Sequence, residues 1–416
     1  MFKKCLAPFL VVATCLVYFP ILSNNFLFFW DDQWVVMNRY TIGGFSFQNI
    51  WAVLSEFYHG QYAPVNQLFY VTLHALFGYN PLFFHAASLL VHIANVLLIY
   101  LFIRHLLVRC NVESATAYSV AFISALLMAI HPFNVESVAW VSASKIILYV
   151  MFYLIAMLCY LWYTDAYKPK FYFLALVFFI ISFGAKEQAV TLPVCLLLLD
   201  YVLGRNLRSE QVWLEKMPFL MLALFFGIVT IFSQGSFFAE KESFTIVQRG
   251  VYACYSFIEY LIKCLLPVKL SYLYPFPTQP GEPLTLRLWM YPVILLALAG
   301  FFWRFWQKKW VFFGIAFFTI HIAVTLHIIS LSRFAVIADR YAYLSLMGVC
   351  FVIAWYFWQF VKQKTKYSKV IIAILAVYVL YLGIYAHKRT YDWQDTDSIK
   401  QEMRELIEQR KSRNHV

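Results

Sequence analysis

Charge is what this chain has least of. Only 13% of its 416 residues are Asp, Glu, Lys or Arg, and the mean hydropathy is +0.69. Soluble domains carry about 25% charged residues, so this composition excludes an ordinary soluble globular fold. Paired cysteines are also missing. The eight cysteines lie mostly inside or beside apolar runs with no paired spacing, which signals neither a disulfide framework nor a zinc site. No segment repeats at a fixed period of about 20–50 residues, which excludes a solenoid. The first apolar run, Leu6–Leu22, carries Pro8 and Pro20 and has no small-x-small cleavage site, so it reads as a retained helix and not a signal peptide.

What is abundant is apolar and aromatic. Hydrophobic residues make up 62% of the chain and aromatics 20%. This implies an all-α polytopic membrane protein, with aromatics for interfacial belts and a lined cavity. Apolar runs fall at 6–22, 82–103, 114–130, 145–163, 171–185, 187–203, 217–233, 287–303, 311–330, 339–358 and 370–386. They predict about eleven spans, with 251–267 as a helix that does not cross. The net charge of +12 is concentrated in short loops, including Arg104–Arg109, Arg205–Lys216, Arg304–Lys309 and Lys362–Lys369. If the spans alternate, these loops share one side, which the positive-inside rule makes cytoplasmic. The amino terminus is then inside and the tail outside, although Lys388 and Arg389 after the last span pull the other way. No nucleic-acid partner follows from the charge. The first outer loop predicts an interfacial amphipathic helix, since Phe47, Ile50, Trp51 and Leu54 recur at helical spacing. The Pro- and aromatic-rich loop 272–277 is expected over the outer face. Two units result: a transmembrane domain over 1–386, and a short polar tail over 387–416 with an amphipathic helix at 398–411.

The scarce charges are not scattered. Asp31, Asp32, His131, Glu136, Lys145, Lys186, Glu187, Asp339 and Arg340 all fall at the outer ends of apolar runs. Carboxylates beside hydrocarbon cost about 2.5–3.5 kcal/mol each on insertion scales, so they tend to face a cavity and carry function. A hydroxyl acceptor needs a general base, and a leaving phosphate needs Arg forks or Lys point charges. Acids and bases mixed on one face therefore describe group transfer from a phosphate-linked lipid. Each residue also has a plain structural reading. The Asp pair can end the first helix in a solvated loop, Lys186–Glu187 can be a local ion pair, Arg340 can cap a helix or snorkel, and His131 can mark a helix end before Pro132.

Six stretches carry a resemblance: WDDQWVVMN (30–38), FGYNPLFFHAASLLVHIANVLL (77–98), HPFNVESVAW (131–140), KEQAVTLPVCLLLLDY (186–201), LLPVKLSYLYPFP (265–277) and ADRYAYLSLMG (338–348). In that order the chain resembles bacterial relatives of the transmembrane and TPR-repeat-containing O-mannosyltransferases, which are GT-C glycosyltransferases. It departs from them in three places. Of a charged cluster after the His-Pro stretch only Lys145 is kept, Asn134 stands where a second His is common, and no TPR repeat is legible within the 416 residues. The resemblance implies a GT-C-like fold and a polyprenyl-phosphate donor of a mannose-like sugar. It implies a hydroxyl acceptor, such as a protein Ser or Thr, and inversion at the anomeric carbon. Asp31 or Asp32 would be the base, with the first acid, Asp31, favoured and Asp32 then orienting the acceptor or holding Asp31's environment; Lys145, Lys186 and Arg340 would meet the donor phosphate; His131, Glu136, Glu187 and Asp339 would support them. A bacterial inner membrane with the site facing the exterior is the implied setting. Two competing readings are a flippase for a lipid-linked sugar and a catalytically silent scaffold; a glycan or lipid acceptor is a further variant. A transporter tends to place its charges at the bilayer midplane and to repeat its halves, and neither is seen here. Two carboxylates at Asp31 and Asp32 are an incomplete cation site, so no metal or other cofactor is expected.

Overall fold

The structure is a computed structural model describing residues 2–28, 30–238, 244–328, 335–401 and 404. In hydrocarbon every backbone N–H and C=O needs a partner from the chain itself, so apolar runs fold as helices. All eleven runs do. The longer helices are α1 (Phe2–Tyr18), α2 (Phe47–Ser55), α3 (Pro64–Phe77), α4 (Pro81–Arg109), α5 (Ser114–Ile130), α6 (Ser144–Ala166), α7 (Pro169–Ala185), α8 (Leu192–Leu203), α9 (Glu210–Phe238), α10 (Ile246–Leu265), α11 (Leu286–Trp303), α12 (Lys309–Ala323), α13 (Leu346–Lys362) and α14 (Ser368–Arg389). Among the described residues the sheet content is one antiparallel pair, β1 (Tyr274–Pro275) with β2 (Ala335–Ile337), Tyr274 lying opposite Ile337. This pair ties the aromatic loop to the turn that carries Asp339 and Arg340.

Six segments are long and apolar enough to cross a bilayer, among the described residues: Cys5–Ser23, Pro81–Arg109, Val141–Ala166, Glu210–Gln234, Leu286–Trp303 and Ser368–Trp393. The chain is therefore an integral membrane protein. A seventh candidate is α5 with Pro132–Ala139, bent by 55°. The expected count of eleven spans is not met by length. Helices α7, α8, α12 and α13 have 17, 12, 15 and 17 residues. At 1.5 Å per residue they reach about 18–26 Å, short of a hydrocarbon core of about 30 Å. Two of these runs are shortened by 3-10 turns at the end that carries the charges, Glu187–Thr191 before α8 and Asp339–Ala342 before α13. Helix α10 carries Arg249, Glu259 and Lys263 and is not among the segments apolar enough to cross, in line with expectation.

Helix α6 is the hub. Of its most apolar window 72% is buried inside the protein, against 11% for the α11 and α14 segments. It packs on α4 and α7, and Lys145 lies in its first turn. Lipid offers no hydrophobic drive between helices, so small residues set how closely they approach. Gly314 of α12 and Gly348 of α13 meet backbone to backbone, and a Cβ on either would collide with the other's carbonyl oxygen. The expected amphipathic helix of the first loop is α2. Ser46 caps it, its Oγ accepting from the Asn49 N–H at 3.3 Å; Phe47, Trp51 and Leu54 face outward and Val53 inward. Helix α3 follows it and has no counterpart among the expected elements.

The end of the bundle away from the Asp pair holds a buried ionic network. Lys216 and Asp200 are both fully buried, with Nζ 2.5 Å from Oδ2. Arg205 reaches Asp200 at 2.9 Å and Glu215 at 2.7 and 2.9 Å through two nitrogens, while the Tyr160 hydroxyl donates to Asp200 at 2.8 Å. Arg205 and Lys216 read as loop cations in the sequence; here they staple α6, α8 and α9 together. Of the tail helix expected over 398–411, residues 402, 403 and 405–411 lie outside the described residues.

Candidate active site

The Asp pair sits on a loop that is held on both sides. Before it, the Asn24 side chain donates to the carbonyls of Thr390 and Trp393 at 3.1 and 3.0 Å. After it, Asp32–Val35 forms one helical turn, with Asp31 at its start. Successive residues there point different ways, and the two carboxylates meet different surroundings. Asp32 is fully buried. Its Oδ2 accepts from the Leu27 N–H at 2.7 Å, and its Oδ1 from the Ser142 N–H at 3.0 Å and the Ser142 hydroxyl. Burial pushes its carboxyl up to about 6, with the bonds from Ser142 and Leu27 pulling against that rise. Asp32 is thus a clasp between the first loop and the turn before α6. Any cation at Asp32 would have to displace these donors. Among the described residues no cluster of three or more His, Cys, Asp or Glu side chains is disposed to hold a metal.

Asp31 is only partly buried, and among the described residues its Oδ1 accepts the Trp34 indole N–H at 3.1 Å. Burial raises its carboxyl above the ordinary Asp range, opposed by the positive charges of Lys145 and Arg340 and by the Trp34 bond.

The cations come from three separate segments. Lys145 donates to the Gln61 side-chain oxygen at 2.9 Å, and feels the charges of Lys186, Glu187, Arg340 and Asp31. Lys186 pairs with Glu187 at 2.7 Å and lies 5.8 Å from the centre of the Tyr341 ring. Arg340 is held by Glu136, which is 1% exposed. The Arg340 backbone N–H donates to Oε2 at 2.8 Å and its guanidinium reaches Oε1 at 2.5 Å. The guanidinium carbon also lies 5.4 Å from the Trp140 ring centre and 4.8 Å from that of Tyr341, within cation–π range. Three cations therefore share one field with Asp31, Glu136 and Glu187, and of the three Lys145 has an amide, not a carboxylate, as its hydrogen-bond partner.

Asp31, Lys145, Lys186, Glu187 and Arg340 are brought together, with Glu136 directly behind Arg340. Asp339 is adjacent to Arg340 in sequence but bonds elsewhere: Oδ2 to Arg389 at 2.7 Å and Oδ1 to the Tyr274 hydroxyl at 2.8 Å, fully buried. His131 caps the turn Pro132–Asn134 by accepting from the Phe133 N–H at 3.1 Å, and its other nitrogen meets the Cys264 carbonyl at 3.2 Å. The sequence reading missed Trp34, Gln61, Trp140, Ser142, Tyr341 and Arg389. Trp34 is three residues from Asp31, the i,i+3 spacing of a helical turn, and was legible on that ground. Ser142 and Gln61 offered no local signal.

No family model matches the chain. The sequence is similar to Protein O-mannosyl-transferase TMTC1 from Homo sapiens, 27% identical over 164 residues, covering 37% of this chain and 18% of that protein. The same protein from Mus musculus is 28% identical over 166 residues, covering 37% and 16%. The matched stretch is under a fifth of either relative's length. The resemblance to the O-mannosyltransferases read from the sequence is borne out by these matches. Among solved structures, the archaeal oligosaccharyltransferase AglB from Archaeoglobus fulgidus, in complex with an inhibitory peptide and a dolichol-phosphate, superposes with a TM-score of 0.49 at 13% identity, over 96% of this chain and 56% of that one.

Proposed function

We propose that the protein is a membrane glycosyltransferase that moves a mannose-like sugar from a polyprenyl-phosphate donor to a hydroxyl acceptor, a protein Ser or Thr, at the outer membrane face. The observation that carries this reading is the division of the Asp pair, one carboxylate locked and the other open beside three cations. Asp31 takes the proton from the acceptor hydroxyl. The acceptor oxygen bonds to the anomeric carbon as that carbon's bond to the phosphate oxygen breaks on the opposite face. The electron pair leaves with the polyprenyl phosphate, and the configuration inverts. Lys145, Lys186 and Arg340 neutralise the departing phosphate. The printed name of the relatives, protein O-mannosyl-transferase, supports both sugar and acceptor class.

Binding of polyprenyl phosphate, the product lipid, to the reconstituted protein tests the cationic part. Arg340→Lys keeps a charge for Glu136 but loses the planar fork and its stacking. Affinity should fall about tenfold, the equivalent of about 1.4 kcal/mol. Arg340→Ala should lose at least as much, and its stability must be measured alongside because it strands a buried carboxylate. Unchanged affinity in both variants would reduce Arg340 to a structural charge.

The acid limb of turnover tests the base. Only ionised Asp31 accepts a proton, so the rate rises with pH through its pKa, which burial sets above the ordinary Asp range. The Lys145 charge favours the ionised form. Lys145→Met should therefore move the midpoint to higher pH and lower the rate at acid pH most. A midpoint that stays or moves down would mean another group titrates.

A further inference from the structure

Residues 390–399, just after α14, are packed against the outer loops. Trp393 is fully buried and stacks on Trp140, ring centres 5.7 Å apart at 19°. It also meets Tyr272 edge-on at 6.0 Å. Trp30, the residue before Asp31, contacts the same two rings, Trp140 at 6.4 Å and Tyr272 at 5.6 Å. Four rings thus close a box. One wall, Trp30, is continuous with the proposed base, and another, Trp140, carries the Arg340 guanidinium on its face. The backbone is fastened along the same route. Asn24 donates to Thr390 and Trp393, the Asn25 N–H donates to the Gln394 carbonyl at 2.8 Å, the Thr396 hydroxyl donates to the Phe28 carbonyl at 2.7 Å, and the Tyr272 hydroxyl donates to the Ile399 carbonyl. Arg389, just before this segment, holds Asp339 next to Arg340.

Resting on the transferase reading above, we propose that residues 390–399 are a strap that sets the distance between base and phosphate-binding cation, with Trp393 as a positioning residue that acts on Arg340 through Trp140. Trp393 touches neither donor nor acceptor. Its removal tilts Trp140, so the guanidinium loses its platform while its charge remains. The strap also fixes the loop of Asp31 through Asn24 and Phe28. A lost ring at position 393 is therefore felt as a donor-phosphate defect.

A double-mutant cycle on polyprenyl-phosphate affinity tests this. Trp393→Ala alone should weaken binding about fivefold, by loss of part of the stacked, partly buried guanidinium contact. Trp393→Phe, which keeps a stacking face, should restore most of it. In an Arg340→Lys background Trp393→Ala should add almost nothing, because the group it positions is gone. Losses that multiply in the double variant would make Trp393 a general packing residue and overturn the inference. If Trp393→Ala does not reconstitute, Trp393→Leu, which fills space without stacking, is read in the same cycle with the same two outcomes. Wild-type protein that binds no polyprenyl phosphate would sink the transferase reading and this inference with it; wild-type binding with multiplied losses would sink this inference alone.

Discussion

Asp31→Asn should reduce turnover by at least about 10²-fold, the lower end for loss of a general base. The substitution keeps the size of the side chain and lets the Trp34 indole still donate to an oxygen, so the loop need not move. What it removes is proton affinity. Polyprenyl-phosphate binding should survive, because in the proposed mechanism the phosphate meets Lys145, Lys186 and Arg340 and not the carboxylate. Asp32→Asn should behave differently. Its two oxygens accept from Leu27 and Ser142, and an amide turns one of those acceptors into a donor facing a backbone N–H. The expected result is a loss of thermal stability with a milder loss of turnover per folded molecule. If Asp32→Asn were catalytically dead at full stability and Asp31→Asn active, the roles would be exchanged.

The second large effect lies at the other end of the bundle. Asp200→Ala should destabilise the protein by about 3–5 kcal/mol, the cost of leaving a buried partner charge uncompensated. Lys216 and Asp200 are both fully buried, and Tyr160 at the same time loses its shortest acceptor and keeps only Glu215 at 3.4 Å. The site is about 22 Å away along α6, counting the 15 residues from Lys145 to Tyr160 at 1.5 Å each. Turnover of the folded fraction should therefore be little changed. Lys362→Ala, which breaks an exposed pair with Glu113, is the control and should leave the melting midpoint where it was. Equal midpoints in both variants would mean the inner network contributes nothing.

The class of fold was legible because a bilayer leaves few choices: apolar runs of this length fold largely as helices, and each of the eleven carries one among its described residues. The number of crossings was not. A hydropathy window does not separate a helix from the 3-10 turn that feeds it, and Glu187–Thr191 and Asp339–Ala342 are such turns. The cations of the site were legible as scarce charges at the ends of apolar runs. Their partners were less so. Lys186–Glu187 is the local ion pair that adjacency suggests, whereas Glu136 meets Arg340 from 204 residues away and Ser142 meets Asp32 from 110. Asp339 and Arg340 read as one unit, yet the turn sends one side chain to Arg389 and the other to Glu136. Arg389 itself read as a loop charge that opposed the expected orientation. It is a buried partner of Asp339, and a paired charge of that kind carries no weight in a count of free loop cations. Trp393 sat in what composition alone marks as a polar tail; only its ring contacts with Trp140 and Tyr272 show that the segment packs against the residues beside the Asp pair.

The central claim is chemical transfer from a lipid donor with Asp31 as base. The measurement that bears on it most directly incubates reconstituted protein with a panel of labelled polyprenyl-phosphate sugars and a Ser/Thr-containing acceptor peptide, and follows release of polyprenyl phosphate. Wild type should consume one mannose-like donor and yield an inverted glycosidic product, with Asp31→Asn slower by at least about 10²-fold at unchanged donor binding. Donor consumption at equal rates in wild type and Asp31→Asn, or donor that crosses the membrane with its sugar-phosphate bond intact, would contradict it.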